Sequence, residues 1–394
     1  MNRARIALLV GGIVATLAIP AAAQITFADL VARRWPQAGE VELTTLISDA
    51  RRASLGGDSL ALAAPTVGLE AGPRWTPDAG RADLGLRAEL PLQAGRTARG
   101  ELRACLEELA GRARRGAQAE AEAALAAALV TAWQTAEIAA LRERDLGAVD
   151  IWLAAARRRV EAGADPPYES VLVAGERDRA LIELAEARLA RANAWGALRA
   201  LADLSPEPRP LALAGLPTGT ADADAHTEVS AVARAAIEAR MRLSVALART
   251  AADAAASRWS VVGQVGREGL DRLARLGFSY RLPWRGEEGA IVAGSGAAEE
   301  AARLEAARRL AGIAARLAGA DAALRTPPSA GDEAALSAAE RVLSAQVEEG
   351  KERATAVLPL RRQLLEAQIA WVRSRALQAA ARAEIALLGE EARR

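Results

Sequence analysis

The chain has one cysteine, one histidine and one lysine, and aromatic residues make up only 3% of its 394 positions. Cys105 has no partner within the chain, so no internal disulfide forms and the fold must stand on packing. In its helical stretch it reads as a small buried residue rather than a nucleophile. His226 lies in Asp222-Ala223-Asp224-Ala225-His226. One imidazole with two flexible carboxylates is a weak metal set and reads as a surface cluster at a helix start. There is no Ser/His/Asp arrangement and no glycine loop built to cradle phosphate. No catalytic, cofactor-binding or metal-binding residue is therefore assigned, and the chain does not read as an enzyme. Its 51 basic and 50 acidic residues nearly cancel, at net +1, so the basic footprint of a nucleic-acid binder is missing.

Long apolar runs are scarce as well. Arg3 and Arg5 precede an apolar run, Ile6 to Ile19, and Ala21-Ala22-Ala23 follows. That is the pattern of a cleaved secretory signal over residues 1–23. The run is 14 residues, short of the roughly 20 that a spanning helix needs; an N-terminal membrane anchor is the alternative. No cysteine stands near the cleavage site, so lipidation there is not expected. No later stretch reads as long and apolar enough to span.

What is abundant is alanine, leucine, arginine and glutamate, the composition of long helices packed along narrow seams. Thr26 and Asp29 cap a first short helix, Trp35-Pro36 breaks it, and a second helical run reaches about Leu55. The period then changes to two. Val67, Leu69 and Ala71 alternate with Thr66 and Glu70, and Pro77-Asp78-Ala79-Gly80 marks a turn. Leu84, Leu86, Ala88 and Leu90 return opposite Asp83, Arg87 and Glu89. The same writing recurs later. Trp259, Val261, Gly263 and Val265 alternate with Ser260, Val262 and Gln264. Past a turn near Glu268-Gly269, Ala274, Leu276, Phe278, Tyr280 and Leu282 oppose Arg275, Ser279 and Arg281.

Each hairpin has one apolar face, ends in Leu-Pro and runs into a long helical segment, and the unit is written twice. Val160-Glu161-Ala162-Gly163 is echoed by Val347-Glu348-Glu349-Gly350. Pro91 to Gly163 spans 72 residues and Pro283 to Gly350 spans 67. At 1.5 Å per residue the first is about 108 Å if continuously helical. Gly163-Ala164-Asp165-Pro166-Pro167 stops it, and a seam of Ala180, Leu184, Ala187, Arg191, Ala194, Leu198 and Leu201 marks the return. The prolines from Pro206 to Pro217 end that return early. A further helix, about Asp222 to Ala255, is expected to stack end to end on it. The N-terminal helices are expected to stack likewise on the C-terminal helix. Thr326-Pro327-Pro328 must interrupt the second outgoing helix.

The domain reading is a signal peptide at 1–23 and repeat one at 24–216, with a β-hairpin at about 59–92 and a helical hairpin at about 95–205. Repeat two follows at 217–394, with a β-hairpin at about 257–284 and a helical hairpin at about 294–389. Leu84, Leu86, Leu90, Val261, Val265, Leu276, Phe278 and Tyr280 are the candidate lipid-facing residues, with Phe278, Tyr280 and Trp284 resembling an interfacial girdle. A small water-soluble sheet packed on a helix is the alternative. Four strands cannot close a membrane barrel, since small ones start at about eight; three chains supply twelve.

In this order and spacing the sequence resembles the TolC-like outer-membrane efflux protein family, of the CzcC and CusC kind. The duplicated hairpin–Leu-Pro–helix unit, the two tip segments, Val171-Leu172, Val357-Leu358 and the stretch Ala187 to Leu201 carry the resemblance. It implies a mainly α fold with a small β part: duplicated long helical hairpins forming a trimeric α-barrel, and four strands per chain contributing to a 12-stranded outer-membrane β-barrel. It implies a homotrimeric exit duct set in outer-membrane lipids of a Gram-negative bacterium and extending into the periplasm. The duct would dock on a periplasmic adaptor coupled to an inner-membrane pump. Gly163, Asp165, Pro166 and Gly350 would form the docking tips. Arg159, Glu161, Glu348, Glu349, Lys351 and Arg353 are candidates for ion pairs that close the entrance, against the plain reading of a solvated helix end. Metal ions, drugs and secreted proteins are all admissible cargo. From another class, a periplasmic adaptor or coiled-coil scaffold remains the alternative.

Overall fold

The computed structural model describes residues 24–55, 66–76, 79–92, 96–218, 229–255, 259–268, 271–280, 287–326, 333–349 and 352–389. Residues 1–23, Pro77-Asp78, His226 with its two aspartates, Trp284, Pro327-Pro328, Gly350 and Lys351 lie outside them. Two short helices lead: α1 (Phe27–Ala32) and α2 (Ala38–Leu55). The Thr26 hydroxyl accepts from the Asp29 amide at 3.4 Å while the Asp29 carboxylate accepts from the Thr26 amide at 3.0 Å. This reciprocal capping box starts α1 where Thr26 and Asp29 predict it. Then follow β1 (Thr66–Thr76), β2 (Ala79–Leu92), α3 (Arg96–Glu161), α4 (Pro167–Leu201), α5 (Ala231–Ala255), β3 (Trp259–Glu268) and β4 (Asp271–Tyr280). The chain closes with α6 (Glu287–Arg325), α7 (Glu333–Glu348) and α8 (Ala354–Leu388).

The 66 residues of α3 contain no proline, so nothing interrupts the ladder, and the helix runs about 99 Å. Gly163, at φ +70°, ends the run by donating its amide to the Val160 carbonyl at 3.0 Å. Only glycine takes that left-handed conformation without steric cost. Pro166 caps α4 and Pro167 occupies its first position, where a missing amide proton costs nothing. In the second outgoing segment α6 ends at Arg325 and α7 starts at Glu333; the interruption expected at Pro327-Pro328 lies outside the described residues. One expectation fails here. An alanine- and leucine-rich window inside α3 is long and apolar enough to span by length and composition. Nearly half of that window is buried against protein: an alanine seam at a helix interface passes the same test as a lipid-facing run.

The chain folds as two compact units, each drawing on both of its halves. The first combines Met1–Trp35, Leu125–Leu216 and Pro327–Ala380; the second combines Pro36–Ala124, Pro217–Thr326 and Ala381–Arg394. In the second unit Leu43 and Ile47 of α2, Leu102 and Leu109 of α3 and Leu243 of α5 form one buried cluster. Ile237 of α5, Ile313 and Leu317 of α6 and Ile385 and Leu388 of α8 form another. Each such side chain contributes roughly 1.5–3 kcal/mol on burial. In the first unit, Ala180, Leu184, Ala194 and Leu198 of the expected α4 seam are buried.

The same unit holds the proline-rich segment that follows α4, from Pro206 to Leu216. Ile25 bridges to Leu211, Arg34 to Ala202, and the Trp35 amide donates to the Leu201 carbonyl at 2.8 Å. In the second unit Val229 bridges to Gly389, and the Ser230 amide donates to the Leu388 carbonyl at 3.1 Å. These contacts reverse the expected stacking: α4 ends against the N-terminal segment, and α8 ends against the start of α5. Helix α5 also begins later than expected, at Ala231, because the Ser230 hydroxyl accepts from the Ala233 amide and caps it.

The second unit carries a four-stranded antiparallel sheet in the order β1-β2-β3-β4. Pairing of β2 with β3 joins the hairpins of the two repeats. Leu69, Leu86, Val265 and Ala274 share one row across the sheet. Ala88, Gly263 and Leu276 share the next, and Leu90, Val261 and Phe278 the one after.

Candidate functional site

Two features invite a functional reading. The first is the face just described. Side chains alternate across a strand, so the rows put Leu86, Val261, Val265, Leu276 and Phe278 on one face of the sheet, while Leu84, Leu90 and Tyr280 hold matching positions in the backbone register. Leu86 is 50% exposed, Val265 65%, Phe278 72% and Leu276 83%. By the same register Val262, Gln264 and Gly277 belong to the other face. A row of exposed apolar side chains inverts the arrangement of a water-soluble sheet, whose apolar face is covered. Strands β1 and β4 are the sheet's edges, each paired on one side only among the described residues.

The second feature is the turn after α3. Asp165 is buried there, its side chain 3% exposed. The Arg159 guanidinium donates to both of its oxygens, at 2.6 and 3.3 Å, and Arg353, just ahead of α8, lies 3.5 Å away. Arg353 also approaches buried Glu169 at 3.9 Å, and Glu169 accepts from the Thr355 hydroxyl. Two helical hairpins are thus clasped by one carboxylate between two guanidiniums. Beneath the clasp, Val149, Trp152, Leu153 and Ala156 of α3 pack with Val173, Val347, Ala354 and Val357. Of the entrance candidates, Arg159 and Arg353 come together, on Asp165, which is expected at the docking tip. Glu161, Gly163 and Glu349 are exposed, Glu348 closes α7, and Gly350 and Lys351 fall outside the described residues.

Sequence reasoning missed Glu169 and Thr355, and a further layer of charge below the clasp. Buried Arg361 of α8 donates from Nε to the Asp145 carboxylate of α3 at 2.9 Å and from Nη2 to the Asp145 carbonyl at 2.7 Å. Its Cζ lies 4.6 Å from the Trp152 ring centroid, within cation–π range. Arg362 pairs with Glu176, while Arg142 meets Glu183 at 2.6 Å and Glu366 at 3.4 Å. These groups line a cavity of about 550 Å³ between α3, α4 and α8. The one available signal was Arg361-Arg362, adjacent charges on a helix that cannot both face solvent when the helix is packed on two sides. Burial pushes the Asp145 carboxyl above its ordinary value, Arg361 opposing; the hydrogen bond from Arg362 holds Glu176 below its own.

No protein-family model matches the chain, and no curated protein matches it. Solved structures do. The Campylobacter jejuni CmeC outer membrane channel aligns with a TM-score of 0.63 at 14% identity, over 92% of this chain and 84% of that one. The outer membrane protein VceC of Vibrio cholerae aligns at 0.57 and 16% identity, over 90% of this chain and all of its own. The open state of the Neisseria gonorrhoeae MtrE outer membrane channel aligns at 0.54 and 15%, over 92% and 87%. The chain has the TolC-like fold of these outer-membrane channels.

Proposed function

We propose that this chain is the outer-membrane exit duct of a tripartite efflux pump, passing substrates from a periplasmic adaptor and an inner-membrane transporter to the exterior. The observation that carries the reading is the sheet: four strands with an open apolar face and two edges unpaired among the described residues, attached to helices as long as α3. An apolar face of this kind matches a membrane barrel, and a sheet with free edges needs further strands to close. Three copies give twelve strands, with β4 of one copy beside β1 of the next. Exposed Val171, Leu172, Ile182 and Leu189 along α4 favour packing of helices between copies as well.

On this reading Gly163, Asp165, Pro166 and Gly350 form the adaptor-docking end, and the Arg159–Asp165–Arg353 clasp holds the entrance narrow. Such a duct conducts passively and has no chemical step. The adaptor alternative calls for a β-rich domain around a single helical hairpin, and duplicated hairpins on one four-stranded sheet do not supply it. Deletion of the gene tests the proposal: the strain should accumulate efflux-pump dyes and become sensitive to metals or drugs, with the wild-type chain fractionating to the outer membrane. Unchanged sensitivity together with a soluble or inner-membrane location would overturn it.

A further inference from the structure

Below the clasp, two buried donors have no acceptor among the described residues. Arg361, whose side chain is 6% exposed, spends Nε and Nη2 on Asp145 and leaves Nη1 without a partner. The indole Nε1 of Trp152, a residue 1% exposed, is likewise unpaired. Buried polar groups are almost always satisfied, and an exception points to something that satisfies it. Both residues line one small cavity between α3, α7 and α8, with a volume of about 10 Å³. Its remaining polar lining is Asp145, Glu340, Ser344 and Gln368, and the Gln368 amide is already turned to Glu340 at 3.0 Å.

We infer that this cavity is a binding site for a single water molecule that accepts from Arg361 Nη1 and Trp152 Nε1. Three arguments fix the chemistry of the occupant. It must accept at least twice, because both orphaned groups only donate. It must be no larger than water, because the volume admits about one water-sized sphere. It must be neutral, because two carboxylates, Asp145 and Glu340, already face one guanidinium there. Water meets all three and has two protons left for the Ser344 hydroxyl and the Glu340 carboxylate. So placed, it ties α3 to α7 and α8 at a level where the Arg361–Asp145 pair links only α3 and α8. The inference stands apart from the transport reading, since it rests on the interior of one unit.

Crystals of the full chain, grown with and without sodium bromide and diffracting well enough to show other buried waters, test it. The expected result is a density peak about 2.7–3.2 Å from both nitrogens, with no anomalous signal in bromide. In Trp152→Phe, which keeps a ring and removes the donor, that peak should be lost or displaced from Arg361. A bromide signal at the site would replace water by a halide and overturn the proposal, as would an empty site in a map that shows other interior waters. A peak unmoved in Trp152→Phe would remove the indole from the site. Should that variant fail to fold, the wild-type and bromide crystals decide the matter alone.

Discussion

A methyl group on residue 116 of α3 would lie 2.2 Å from the Ala236 Cβ of α5. The two helices meet where Gly116 leaves room for the Ala236 methyl, and neither can retreat without disturbing the clusters above and below. Gly116→Ala should therefore destabilise the fold by about 1–3 kcal/mol, as overpacking does. Gly111, one and a half turns earlier, has nothing within 4 Å of an added Cβ. Gly111→Ala should stabilise by roughly 0.5–1 kcal/mol through helix propensity. Thermal melts of the two variants check the pair; equal shifts would mean that α3 and α5 do not touch at Gly116.

The buried Arg361–Asp145 pair should behave as a unit. Asp145→Leu leaves an uncompensated guanidinium in the interior and should cost about 3–5 kcal/mol. The double change Asp145→Leu with Arg361→Met should fall much closer to wild type. A double-mutant cycle by chemical denaturation measures this, and strict additivity would show that the two side chains do not depend on one another.

Two carboxylates on the same cavity give opposite pH dependences. Glu176 is held below its ordinary 4.5 by Arg362, so its stabilising contribution is present above 4.5 and is lost as pH falls through the lowered value. Asp145 is raised above 3.8 by burial. Its contribution is full below 3.8 and is lost as pH rises through the raised value. Melting temperatures taken down through this window should fall less steeply in Glu176→Gln than in wild type and more steeply in Asp145→Asn. Parallel curves for all three proteins would contradict both assignments.

Much of this architecture could be read from residue order. The period-two stretches gave both hairpins, and the echoed Val-Glu motifs marked the ends of α3 and α7. Gly163 with Pro166-Pro167 punctuated the chain where α3 gives way to α4. What escaped was pairing between segments distant in sequence. Several end-to-end pairings of the shorter helices give nearly equal lengths, so counting residues could not choose. The bridges Arg34–Ala202 and Val229–Gly389 show only which segments the ends of α4 and α8 meet. The β2–β3 pairing was hidden for the same reason, since either hairpin is complete by itself. At the tip the turn was legible from glycine and proline, which act locally. The clasp was only half legible: Arg159, Asp165 and Arg353 stand out beside a turn, whereas Glu169 and Asp145 look like any solvated helix charge until a second helix covers them.

The apolar face of the sheet makes a sharp prediction about position. Phe278→Arg should lower recovery of assembled protein from the outer membrane, at about 2–4 kcal/mol for a charge facing mid-bilayer. Gly277→Arg, one residue along and therefore on the other face, should assemble normally. Immunoblots of heat-modifiable species in membrane extracts compare them. Equal recovery would mean that the face does not meet lipid.

The central claim is that four strands are one third of a closed wall. It is tested most directly by native mass spectrometry of the particle extracted from outer membranes in mild detergent. Three copies of the chain per particle, with a hollow cylinder in projection images, is the predicted result. A detergent-independent particle of one copy would contradict the account, because a single sheet with open edges and an exposed apolar face encloses nothing.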